Sequence, residues 1–174
     1  TGGLASNNIE QFSGDGVRAV CANGYGTLWG STDNGNTFTK GAELFGVDRF
    51  YTFQCMMDCN DGRFIIGGED DIAGGAYYTD DVGATATRCS FPEGVRNQQP
   101  SQVKYCGDGR WLIAFGGAPG STDSGLYLSI DNGVTYRPVS LPVNMSFNQE
   151  FGQAIANFPD PVGVIVAGAE VGTN

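Results

Sequence analysis

Apolar residues in this chain fall into short runs separated by clusters of Gly, Asp, Asn, Ser and Thr, and nowhere do they recur with a helical period. The runs predict strands at Ile9–Phe12, Val17–Ala22, Thr27–Gly30 and Thr37–Gly41. A second set follows at Phe53–Asp58, Arg63–Gly67, Ala76–Thr79 and Thr87–Phe91, and a third at Gln102–Cys106, Arg110–Phe115, Gly125–Ile130 and Thr135–Leu141. A fourth set opens with Gly152–Asn157, turns at Pro159-Asp160-Pro161 and continues through Val162–Ala167. The second strand of a set, such as Trp111-Leu112-Ile113-Ala114-Phe115, is apolar throughout rather than alternating. Such runs suit strands covered on both faces, as when sheets stack on sheets.

Two markers recur in phase with these strands. The first is the pattern Ser/Thr-x-Asp-x-Gly-x-Thr-aromatic, which appears at Ser31-Thr32-Asp33-Asn34-Gly35-Asn36-Thr37-Phe38 and at Ser129-Ile130-Asp131-Asn132-Gly133-Val134-Thr135-Tyr136. A weaker copy, Thr79-Asp80-Asp81-Val82-Gly83-Ala84-Thr85-Ala86, lacks the aromatic. The three aspartates are 48 and 50 residues apart. The second marker is an Asp-Gly pair upstream of each, at Asp15-Gly16, Asp61-Gly62 and Asp108-Gly109, spaced by 46 and 47. Asp-Gly between apolar runs is the demand of a tight type I′ hairpin turn. In the longer pattern, Asp33, Asp81 and Asp131 are expected to accept amide hydrogen bonds from their own turn. Gly35, Gly83 and Gly133 supply the left-handed position, Thr37, Thr85 and Thr135 brace the exit, and Phe38 or Tyr136 drops into the core.

Four short strands per unit of this length, with a turn signal at every junction, describe blades of a β-propeller. The quoted residues resemble the Asp-box, or BNR, repeat. That repeat occurs in sialidases, sortilin-type receptors, xyloglucan-degrading glycosidases, a photosystem assembly factor and phage virion proteins. The resemblance covers nearly the whole chain. The expected fold is all-β, a propeller segment over 1–174 with blades at 9–42, 50–92 and 101–142 and a half blade at 151–170. Three and a half blades leave sheet edges open. The expectation is a piece of a longer protein, two copies closing one ring, or a last half-blade pairing with residues 1–8. The first is preferred.

Composition narrows the function. The chain has 174 residues, 19 acidic against 9 basic and no histidine, for a net charge of −10. That balance argues against nucleic acid and anionic membrane partners, which need a cationic face. Without histidine, most catalytic zinc sites, Ser-His-Asp triads and Cys-His dyads are removed. The apolar stretch Val162–Ala169 is far too short to span a membrane, and the N-terminal residues do not read as a signal peptide. Cys21, Cys55, Cys59, Cys89 and Cys106 are odd in number and lack a CxxC, so they are expected as buried, reduced strand residues. No metal and no cofactor is expected.

In a four-stranded blade the Asp-Gly and aspartate-pattern turns share one face, and the remaining connections share the other, where propellers place ligands. That second face would carry Glu43, Asp48, Glu69, Asp70, Asp71, Glu93, Asp123, Glu150 and Glu170, mostly in glycine-rich loops. Glu69, Asp70, Asp71 and Asp123, with Arg49 and Tyr51, are the ligand-binding candidates. Surface carboxylates that merely keep a Gly-rich chain soluble are the simpler account of the acidic four. The aspartates of the pattern lack the ligand series of a calcium loop, and turn bracing accounts for them.

As for catalysis, the resemblance to sialidases implies three clamping arginines and an Arg-Ile-Pro motif. The motif is absent, and only Arg49 and Arg96 fall on the ligand face. A glycoside hydrolase would need two carboxyls about 5–10 Å apart, which Asp70 or Asp71 with Asp123 would supply, but sugar-stacking aromatics are scarce there. The preferred reading is a non-enzymatic binding or structural module, with variable loops engaging a partner protein or a surface glycan. Low lysine, unpaired cysteines and abundant Gly, Asn, Thr and Ser point to a virion component, a phage tail or head appendage made in the cytoplasm. Its partners would be other virion subunits, and it would be a homo-oligomer or part of a longer chain. A glycosidase fragment and a protein-complex assembly factor are the alternatives.

Overall fold

The glycine- and asparagine-rich corners break the chain into strands of two to seven residues. The computed structural model describes residues 9–23, 26–44, 56–68, 75–92, 99–116, 125–140, 145–146, 154–157, 164–167 and 169–170, and none of these is helical. The first sheet contains β1 (Ile9–Gly14), β2 (Ala19–Asn23), β3 (Thr27–Ser31) and β4 (Thr39–Glu43), hydrogen-bonded in that order. The second contains β5 (Met56–Asn60), β6 (Arg63–Gly68), β7 (Gly75–Thr79) and β8 (Thr87–Arg88). The third contains β9 (Gln99–Tyr105), β10 (Trp111–Gly116), β11 (Gly125–Ser129) and β12 (Arg137–Pro138). Every pairing in these sheets is antiparallel. Further on, β13 (Met145–Ser146) pairs with β16 (Ala169–Glu170), and β14 (Ala154–Asn157) pairs with β15 (Val164–Ala167).

The first strands of successive sheets are neighbours. β5 lies against both β1 and β9, and β14 also touches β9. Four-stranded meanders stacked through their first strands are blades, and the fold is an all-β propeller arrangement.

The uninterrupted apolar runs have the predicted cause. Alternate residues of a strand point to opposite faces, and both faces of each second strand are covered. On β10, Trp111, Ile113 and Phe115 join Ile65, Ala76 and Cys89 of the second sheet, while Leu112 and Ala114 pack with Leu126 on the other side. On β6, Ile65 faces the third sheet, and Phe64 and Ile66 pack with Val20, Ala22 and Leu28 of the first. The core is therefore a series of layers between sheets.

The Asp-Gly corners differ. Asp61 and Gly62 both have positive φ (43° and 82°) between the paired residues Asn60 and Arg63, as a type I′ turn requires. Asp108 and Gly109 (50° and 70°) turn in the same way, with Arg110 donating to the Gly107 carbonyl across them, but Gly107 is left-handed too (86°) and the loop holds five residues between the paired Tyr105 and Trp111. The first corner corrects the expectation: only Gly16 has positive φ, and the loop holds four residues between the paired Gly14 and Ala19. Asp15 Oδ1 there accepts the amides of Val17 and Arg18 at 3.0 and 2.7 Å, capturing the chain with a side chain instead.

Among the cysteines, Cys21 and Cys89 are buried free thiols. Cys106 is only half-buried, its thiol donating to the Lys104 carbonyl at 3.6 Å, and it and Cys89 lie just outside strands, contrary to expectation. Cys59 lies in β5, and Cys55 falls outside the described residues.

Candidate functional site: the aspartate corners and the blade junctions

The three aspartate corners are built alike. In the first, Ser31 Oγ donates to Asp33 Oδ1 (2.8 Å) and accepts the Gly35 amide (2.9 Å). Asp33 Oδ1 also accepts the Thr37 amide (2.9 Å), and Oδ2 accepts the Thr37 hydroxyl (2.6 Å). Thr79, Asp81, Gly83 and Thr85 repeat this set, as do Ser129, Asp131, Gly133 and Thr135. Each carboxylate is thus engaged on both oxygens by its own corner. The Thr37 hydroxyl and amide hold Asp33 well below the ordinary carboxyl range, at about 2. Burial pushes Asp81 and Asp131 upward, but the hydrogen bonds from Thr85 and Thr135 prevail and leave both lowered. These groups stay ionised at neutral pH and hold no proton to give.

The left-handed bend spans two residues, not one. Gly35, Gly83 and Gly133 have φ of 77°, 83° and 86°, and the residues before them, Asn34, Val82 and Asn132, have 59°, 58° and 60°. Asn tolerates this conformation, whereas a β-branched Val does so only under strain. Val82 is held there by packing against the Val20–Leu28–Phe64 cluster of the first junction. The sequence signal for this bend is the Asn that precedes Gly in the other two corners, Asn34 and Asn132, since Asn-Gly favours two left-handed residues in succession.

The corners share a face with the Asp-Gly turns: Asn34 donates its amide to Val17 O, and Asn132 donates to Gly109 O. They also join blades, the second and third corners each being received by the sheet before it. Gly83 O accepts the Ala42 amide at 2.8 Å, and the carbonyls of Val82 and Gly83 lie over Gly30 and Gly41 so closely that neither could carry a Cβ. At the next junction the Ser90 amide donates to Val134 O and the Tyr136 amide to Ser90 O, both at 2.8 Å. Tyr136 is buried and stacks on Phe91 with ring centroids 4.8 Å apart. Phe38 was expected in the core with it, but is half-buried, and its ring lies near Gly35. Among the described residues no earlier sheet covers it.

Arginines that follow the Asp-Gly corners reach the other way. Arg63 clamps Asp80 with Nε and Nη2, covers the Tyr78 ring, and donates Nη1 to Asn132 O of the third blade at 2.7 Å. Its pKa is raised, first by the Asp80 hydrogen bonds. Arg18 pairs with Asp15 and lies over Gly62 of the second blade. Arg110 pairs with Asp108 at 2.7 Å.

A cleft of about 140 Å³ opens at the first junction, lined by Thr32, Thr37, Lys40, Gly41, Asp81 and Val82 among others. Lys40 is paired there with Glu43 of its own strand. Of the residues assigned to the second face, Glu43 lies in β4 and Glu170 in β16. Glu69, Asp70, Asp71, Asp123, Arg49 and Tyr51 lie outside the described residues, as do Asp48, Glu93, Arg96 and Glu150. Among the described residues no group of three or more Cys, Asp or Glu is placed to hold a metal.

Solved structures support the class that this geometry defines, a β-propeller. The structure of YCF48 bound to D1 peptide aligns with 76% of this chain at 17% identity and a TM-score of 0.55. The crystal structure of the computationally designed Ika4 protein aligns with 94% of this chain and 92% of its own length, at 11% identity and a TM-score of 0.53. The chain spans 40% of the YCF48 chain. At these identities the likeness is one of fold. No family model matches the sequence. No curated protein matches it either.

Proposed function

We propose that the chain is a non-enzymatic binding module of the Asp-box propeller type that engages a protein partner, and that it serves on a virion appendage after synthesis in the cytoplasm. The observation that carries the binding reading is the use of the recurring carboxylates: all three corners spend both oxygens on their own turn, leaving a rigid frame. A propeller neighbour that holds a peptide, YCF48 with D1 peptide, supports a protein partner. The glycine-rich loops carrying Glu69–Asp71 and Asp123 are the contact surface of this reading, and their charge favours a basic segment of the partner. The virion assignment rests on composition and on resemblance.

The test has two arms. A panel of basic and neutral synthetic peptides, read by fluorescence anisotropy, should give saturable binding that weakens in Asp70→Asn/Asp71→Asn and with added salt. Release of reducing sugar from a polysaccharide panel, lost in Asp70→Asn or Asp123→Asn, would overturn the reading in favour of a glycosidase. Antibody against the chain should detect it in purified particles, and its absence from them would remove the virion assignment alone.

A further inference from the structure

The two blade junctions use the same parts in unequal measure. Between the second and third blades the corner makes two backbone bonds with Ser90, forming a parallel bridge between Ser90 and Thr135. Arg63 crosses to Asn132, and Phe91 meets Tyr136, Phe115 and Tyr127 within a cluster of nine buried residues. Between the first and second blades the described residues form a cluster of five buried side chains, of which Phe64 is the aromatic one. The second corner carries Ala86 where the third carries Tyr136. Its backbone bond is Ala42 to Gly83, and the counterpart from Ala86 to Ala42 is not made among the described residues. The 140 Å³ cleft lies beside that gap. Arg18 lies over Gly62 here and pairs more closely with Asp15 of its own blade, at 2.6 Å, than with Asp61 of the next, at 3.8 Å.

Stability in a stacked array is a sum of blade and junction contributions, and the weaker junction sets where the array opens. We infer that the first blade opens as a unit of its own, hinged at the junction with the degenerate corner, while the second and third blades open together. The missing aromatic of the second corner is the sequence mark of that hinge. Opening uncovers Val20, Leu28, Phe64 and Ile66, all fully buried in the closed state.

Native-state hydrogen exchange on the full chain, in rising urea below the unfolding transition, tests this. Amides of β2 are expected to exchange at least ~10-fold faster than those of β6 and β10, with a smaller urea dependence, as for a sub-global opening. Gly41→Ala, which forces a Cβ onto the Gly83 carbonyl, should speed exchange in β2 and leave β10 unchanged. Arg63→Met should speed β10 and leave β2 unchanged. A single rate and urea slope shared by β2, β6 and β10 would overturn the hinge. So would β2 and β6 opening together ahead of β10.

Discussion

At the residue scale, the corners work by satisfying backbone groups that a sharp bend would otherwise strand. Ser129 and Gly133 are both buried, so Ser129→Ala leaves the Gly133 amide without its acceptor. That variant should lose about 1–3 kcal/mol in urea unfolding. Tyr136 presents the opposite case. Its hydroxyl is buried with no hydrogen-bond partner among the described residues, and the first corner carries Phe38 at the same place. Tyr136→Phe should therefore leave stability unchanged or raise it, whereas Tyr136→Ala should cost about 3–5 kcal/mol. The pH profile has two arms. Asp33 is held at about 2 against an ordinary 3.8, so its contribution is complete above 3.8 and fades as pH falls toward 2. Burial pushes Cys89 from 9.0 to about 12, so its contribution is complete below 9.0 and is lost as pH rises toward 12. Urea midpoints should accordingly be flat from about pH 5 to 8 and decline on both sides. The hydrogen-bonding roles of Asp, Gly and Thr were legible because they are local and fixed by spacing. The left-handed Val82 was legible only through Asn34 and Asn132 at the same place in the other corners, since tertiary packing overrides its own preference there.

At the element scale, strand positions were legible where apolar runs meet Gly-Asp corners, and least so at the outer strands. Thr135–Leu141 was expected as one strand, but regular pairing is confined to Arg137–Pro138. Thr135 and Tyr136 turn instead toward Ser90 of the preceding sheet, a partner that no local pattern encodes. The first Asp-Gly corner departed from a tight turn because Val17 and Arg18 lengthen the loop and Asp15 gathers their amides. Arginines in equivalent places also differ in what they hold. Arg63 joins two sheets with 17% of its side chain exposed, while Arg110, 50% exposed, binds its own corner. Arg63→Lys, which cannot keep the two-pronged grip on Asp80 and also reach Asn132, should cost about 1–2 kcal/mol. Arg110→Lys should fall within about 0.5 kcal/mol of the parent, both read from urea midpoints.

At the scale of the whole molecule, layered sheets were legible from uninterrupted apolar second strands, because only a strand covered on both sides tolerates such a run. The acidic loops of the other face were read from composition alone, since loop chemistry carries no periodicity from which placement can be argued. The junctions, in contrast, show a direction. The second and third aspartate corners each rest on the sheet that precedes them in the chain. Synthesis therefore releases each receiving sheet before the corner that laps onto it, in the order of shingles, the upper course laid over the lower.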